Sequence, residues 1–312
     1  MTLHEQQQIQ KIANAVLYEG YVLYPYRPSN VKNRQRWTLG GLYPRGYAEN
    51  QGDSSKLHAE VLIHPPEQLR VEINVRFLHL MQEARHGRAW QRAVERDVGL
   101  CGIEAQGRYM KSFHFPAMVQ KEDDTTRSQR RVDGLIEVVT ERLESGLHKM
   151  SLRVTNTTKF LGPADLPRDN ASMQALVATH LILHAPRGGF ISLIDPPETA
   201  RHAAQRCSNS GVWPVLAGTP GSTEWMLAPP IILPDYPQIA PESPGDLFDG
   251  TEIDEILTLR ILTMTDAEKE EMRQADPRLH ELLERTQSLS EEQLLRMHGT
   301  LREPCAPAAP RT

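Results

Sequence analysis

Cysteine is scarce in this chain. Cys101, Cys207 and Cys305 are the only three, odd in number and far apart. They spell neither a disulfide framework nor a cysteine-rich metal knuckle. Long apolar runs are also missing, and none approaches the roughly 20 residues that a membrane-spanning helix requires. The opening "MTLHEQQQIQKIANAV" lacks the charged-then-apolar order of a signal segment, so a soluble, cytoplasmic protein is expected. There is no G-x-G-x-x-G, no G-x-S-x-G and no H-E-x-x-H. A basic excess is lacking too: 35 Lys and Arg face 40 Asp and Glu, a net charge of −5. Non-specific binding of nucleic acid by the whole chain needs the opposite balance. No RRM, OB or zinc signature offsets this, so no nucleic-acid partner is expected.

What is present suits a folded protein. The chain has 312 residues, 39% hydrophobic and 24% charged, enough to bury a substantial core in one large domain or two smaller ones. Its 23 prolines imply many turns. "LHEQQQIQKIANAVLYEG" places Ile9, Ile12, Ala13, Val16 and Leu17 on one helical face, with Gly20 as a stop. From Lys56 the period changes to two. "KLHAEVLIH", "LRVEINVRFLHLM", "GRYMKSFHF", "RVDGLIEVVTERL" and "HKMSLRVTNTT" read as strands of an antiparallel sheet or sandwich. "RQRWTLGGLY" is expected as a short strand with a glycine break, and "MVQKEDDTTRSQRR" as a mobile polar loop.

Further on, "THLILHA" and "GFISLID" are expected as strands joined by a hairpin turn at "PRGG". "PETARHAAQRCSNSG" reads as a helix, and "WPVLAG" and "WMLAPPIIL" as strands. After a proline-studded stretch the chain becomes helical and acidic. Capping boxes are expected at Thr251–Asp254 and Ser290–Gln293, with Thr265 or Asp266 capping the helix between them. The expected fold class is α+β: a mostly antiparallel β-sheet or sandwich core with an N-terminal helix and a helical C-terminal arm. The expected divisions are residues 1–55 (helix and basic aromatic segment), 56–235 (β-rich core), 236–303 (proline-rich segment and acidic helical arm) and 304–312 (a disordered tail).

Three constellations could carry chemistry. Tyr21–Gly46 holds Arg27, Lys32, Arg34, Arg36 and Arg45 with no acidic residue, interleaved with Tyr24, Tyr26, Trp37 and Tyr43. Arginine with tyrosine and tryptophan is the composition of single-strand nucleic-acid binders and equally of protein-interface hot spots. The acidic chain favours the protein partner, with Tyr24, Tyr26, Arg27, Arg34, Arg36 and Trp37 as the binding set. Packing on the chain's own core, or pairing with its acidic arm, is the rival explanation. His180 and His184 form the second constellation: strand period puts both rings on one face, and His202 or His114 could supply a third ligand. Ordinary hydrogen bonding explains them more plainly, so no metal and no cofactor are assigned. The third is the carboxylate run Glu242, Asp246, Asp249, Glu252, Asp254 and Glu255, which fails the EF-hand spacing and suits the start of a helix. An enzyme that uses His180, His184 and these carboxylates is the alternative reading.

Two stretches, "IANAVLYEGYVLYPYRPSNVKNRQRWTLGGLYP" and "PQIAPESPGDLFDGTEIDEILTLRILTMTDAEKEEMRQADPR", resemble an accessory family encoded in the gene clusters of uptake-type NiFe hydrogenases, beside the maturation factors. The resemblance covers roughly residues 10–45 and 180–300 and brings no catalytic residues with it. It implies a non-catalytic role in hydrogenase assembly or maturation, with a hydrogenase subunit or another maturation factor as partner. The chain lacks the paired C-x-x-C motifs that hold a nickel–iron centre, and the histidine tracts and nucleotide loops of nickel-insertion proteins. A scaffold or chaperone that recognises a subunit by its surface is what such a role leaves.

Overall fold

The computed structural model describes residues 3–20, 37–64, 70–85, 88–104, 106–163, 165–187, 189–239, 245, 247, 254–275 and 277–297. These residues form an α+β protein with two antiparallel sheets; the described residues up to Gln238 belong to one compact unit and those from Ile239 onward to a second.

The first unit is a sandwich. After helices α1 (Leu3–Tyr18) and α2 (Arg45–Gln51) come strands β1 (Lys56–Ile63), β2 (Arg70–Arg85), β3 (Arg88–Glu104), β4 (Gly107–Phe115), β5 (Met118–Glu122), β6 (Thr125–Gln129), β7 (Val132–Arg142) and β8 (His148–Asn156). Helix α3 (Arg168–Ser172), β9 (Val177–His184), β10 (Phe190–Ile191), α4 (Glu198–Gln205), β11 (Val215–Ala217) and β12 (Trp225–Ala228) complete it. One sheet runs β10-β1-β8-β7-β4. The other runs β11-β12-β9-β2-β6-β5, with β3 on the remaining edge of β2.

Strict alternation explains how the sheets meet. Val71, Ile73, Val75 and Phe77 of β2 join Ala59 and Val61 of β1, Ile136 and Val138 of β7, and Leu152 and Val154 of β8 in one buried core. Full burial of each Val, Leu, Ile or Phe side chain among them stabilises the fold by about 1.5–3 kcal/mol. The opposite face of the second sheet is buried as well. Ile9, Ile12, Ala13 and Val16 of α1 cluster with Ile182, Val215, Trp225 and Leu227, so the apolar stripe read from the sequence is the one that docks.

Strand β2 is long enough to serve two neighbours along one edge. Glu72–Leu78 pairs with β9 and Met81–Arg85 with β6, while β3 follows the other edge from Arg70 to Arg85. The second sheet therefore forks, and its β3-β2-β6-β5 end is one branch.

Three expectations change. "MVQKEDDTTRSQRR" is not a loop throughout: it contains the β5–β6 hairpin, closed by Asp123–Asp124 with Asp123 at φ 48°. Two-residue hairpin turns favour such a left-handed residue, and strands without a buried apolar face lack the alternation that would reveal them. "PRGG" is not a hairpin turn either, because β9 and β10 lie in different sheets. The Gly189 carbonyl accepts the His64 N–H at 2.6 Å, and a Cβ on Gly189 would stand 2.4 Å from the His64 oxygen. Only glycine permits that approach. In "RQRWTLGGLY" the described residues turn at Leu39–Gly40 and make single bridges at Leu42 in place of a strand. Strand β3 was not anticipated at all.

The second unit holds helices α5 (Asp254–Leu262), α6 (Asp266–Ala275), α7 (Pro277–Gln287) and α8 (Glu291–Met297). Thr265 and Glu268 exchange the two bonds of a capping box, and so do Ser290 and Gln293. The expected cap at Thr251 and the 304–312 tail lie outside the described residues.

Candidate functional site

Five of the six expected partner-binding residues, Tyr24, Tyr26, Arg27, Arg34 and Arg36, lie outside the described residues. Trp37 is described and is only 4% exposed, at φ 63°. Its indole is therefore not the solvent-facing anchor that the sequence reading expected.

His180 and His184 do share one face of β9, with Ile182 between them, beneath α1. The ring of His184 stacks on Trp225 at 3.9 Å, and its Nδ1 is 3.4 Å from Glu72 Oε2. His180 is fully buried; its Nδ1–H donates to the Ala178 carbonyl at 2.9 Å, and burial pushes its pKa down to about 4. It is thus a neutral ring at physiological pH. The proposed third ligands are elsewhere: His114 is exposed on β4 and His202 on α4. Among the described residues no three His, Cys, Asp or Glu side chains converge as a metal ion would need. Of the acidic run, Asp254 and Glu255 are described, both on the first turn of α5. Cys207 lies near Glu60 and Lys149, but burial pushes its thiol up to about 11, the opposite of an activated nucleophile.

Two charge centres organise β2. On the α1 side, Arg76 is 2% exposed and holds Glu95 at 3.2 Å and Asp97 at 2.9 Å. Asn14 of α1 accepts from the same guanidinium at 2.8 Å, and the Tyr18 hydroxyl donates to Glu95 at 2.8 Å. These bonds fix the helix on the sheet.

On the other face, past the end of the sandwich core, Glu83 is 7% exposed and accepts from Arg92 at 2.9 Å and Arg127 at 3.1 Å. Burial raises the Glu83 carboxyl, but the two arginines outweigh it and hold the pKa below the usual value. Arg96 lies 4.5 Å over the Phe115 ring and donates to Gln129 at 3.0 Å. Register puts Trp90 opposite Glu83, and Arg92 opposite Met81. At the corner, Arg85, Glu122, Asp123, Asp124, Thr125 and Arg127 line an open pocket of ≈ 410 Å³.

This arginine- and tryptophan-bearing face is a dense polar constellation, and the sequence reading missed it. Its signal lay in "RAWQRAVERD", where Trp90, Arg92, Val94 and Arg96 recur at period two. No protein-family model matches the chain, and no curated protein is similar to it.

Proposed function

We propose that this chain is a binding protein: a non-catalytic accessory factor in NiFe-hydrogenase assembly or maturation that recognises a hydrogenase subunit or another maturation factor. The hydrogenase context rests on the two sequence stretches quoted above. Recognition by surface rests on one observation, the half-exposed sheet face where Trp90, Arg92 and Arg127 surround Glu83 and Arg96 follows further along β3. Tryptophan and arginine dominate interface energies because they bring large area and several donors at once. Burial keeps the His180 ring neutral and the Cys207 thiol protonated, as suits packing groups, which favours this reading over the enzyme.

Affinity capture of the full chain from cells that express a NiFe hydrogenase, read by mass spectrometry, tests the reading. Enrichment of a hydrogenase subunit or maturation factor, lost on Arg127→Ala, is expected. Turnover of a substrate by the purified chain, or capture that ignores hydrogenase components, overturns it.

A further inference from the structure

Among the described residues β3 pairs with β2 alone, which leaves a long edge. The register identifies its open groups. Glu122 and Thr125 flank the two-residue turn of the β5–β6 hairpin and form its closing hydrogen-bonded pair. Hydrogen-bonded pairs alternate along an antiparallel ladder, so Thr126 and Ser128 turn to β2, where they face Ala84 and Gln82. Even-numbered residues of β2 are thus spent on β6 and odd-numbered ones on β3. Opposite them, Trp90, Arg92 and Val94 bond inward to β2. The N–H and C=O of Ala89, Gln91 and Ala93 point away from the sheet.

Side chains give the edge its selectivity. On the face it shares with Glu83, β3 presents Trp90, Arg92, Val94 and Arg96 in a row. Across β3, β2, β6 and β5 this face carries Arg85, Arg92, Arg96 and Arg127 against Glu83 and Glu122, a basic excess. Natural edges are usually blunted by free lysines, bulges or prolines. From Ala89 to Ala93 this one has none, and Arg92 is already held by Glu83.

We propose that the Ala89–Arg96 edge of β3 takes up an extended, acidic segment of a partner protein as an added strand. On one face that segment offers carboxylates opposite Arg92 and Arg96 and apolar side chains opposite Trp90 and Val94. Main-chain hydrogen bonds supply the attachment, and the alternating side chains supply the choice. A second copy fits less well, since it would bring the same arginine-bearing edge against itself. The proposal deepens the binding reading above and rests on it for the identity of the partner alone.

Two synthetic peptides of about nine residues, one repeating Val-Thr-Glu-Thr and the other Val-Thr-Lys-Thr so that one face alternates valine with the charged residue, test it on the full chain. Hydrogen exchange should slow about tenfold or more at the Ala89, Gln91 and Ala93 amides with the glutamate peptide and not with the lysine peptide. Ala93→Pro removes an outward N–H and no bond to β2, so it should weaken the glutamate peptide about tenfold and leave melting nearly unchanged. If that variant unfolds, the contrast between the two peptides on the wild-type chain still decides. Equal protection by both peptides, or by neither, overturns the proposal. So does a wild-type dimer that Ala93→Pro converts to monomer, which would give the edge to a second copy. Peptide protection without capture of hydrogenase components removes the hydrogenase reading alone. Capture that survives Ala93→Pro, with the peptide inactive, removes the edge alone.

Discussion

Strand β2 carries two charge centres built in opposite senses. At Arg76 a buried cation is held by two carboxylates, Glu95 and Asp97, whose side chains are 40% and 50% exposed. At Glu83 a buried anion is held by two guanidiniums, those of Arg92 and Arg127, 38% and 30% exposed. Even and odd numbering puts the two centres on opposite faces. Asn14 and Tyr18 of α1 close over the first, while the second opens onto the projecting sheet face. Burying either ion costs several kcal/mol before its partners repay it. The closed centre uses that repayment to fix where α1 docks. The open one keeps donors near solvent, where a partner's carboxylates could compete for them.

Each centre also stands near a buried histidine, and there the largest effect is expected. His180 is the cross-strand neighbour of Arg76. His79 donates from Nε2 to the Arg130 carbonyl at 2.8 Å, with Phe115 against its ring. Burial lowers both pKa values from 6.5 to about 4. Between those values the unfolded chain binds protons that the native chain does not. Stability is therefore complete above pH 6.5 and drains away as pH falls toward 4. The loss is at most about 3 kcal/mol per histidine, roughly 6 together. Urea titrations at pH 7 and pH 4.5 check it. His79→Gln should remove about half of the difference, and an unchanged difference would place the acid sensitivity elsewhere.

The sequence showed much of this fold because one-sided burial leaves a period. The α1 stripe, the odd residues of β2 and the β7–β8 pair all alternate apolar with polar, and all pack as that pattern requires. The open branch was hidden for the same reason. On β5 both faces are exposed, β6 is polar throughout, and β3 alternates Trp and Arg with small or charged residues, so no apolar period marks a strand. The histidine pair was legible as a shared face because strand period alone fixes that. Its surroundings, Trp225 on one ring and the Ala178 carbonyl on the other, come from strand pairing and a left-handed Ala178 (φ 51°) that no local pattern encodes.

Single substitutions should separate the closed centre from the open one. Asp97→Asn leaves Arg76 almost wholly buried with one carboxylate, and a loss of about 2–3 kcal/mol is expected. Arg92→Met leaves Glu83 with Arg127 and with water at the open face, so the loss should be nearer 1 kcal/mol. Thermal and urea unfolding of both variants measure the contrast. Equal losses would mean that the α1 side is no more closed than the other.

The smallest effect tests whether the open centre is electrostatic at all. Glu83→Gln keeps the shape and removes the charge, so its cost at pH 7 should be about 1 kcal/mol, the scale of a charge-assisted hydrogen-bond pair near water. The sign with pH follows from the depressed carboxyl. Wild-type Glu83 contributes above its ordinary 4.5, and that contribution is lost as pH falls through the depressed value of the folded carboxyl, where wild type and variant should converge. Salt adds a second handle. At about 1 M ionic strength the screening length is ~3 Å, enough to weaken pairs whose guanidiniums reach solvent. The Arg92→Met cost should therefore shrink in salt while the Asp97→Asn cost, set by a buried cation, barely moves. If both shrink alike, water reaches Arg76 as readily as Glu83. If neither does, Glu83 is sealed, and Arg92 and Arg127 are not available to a partner.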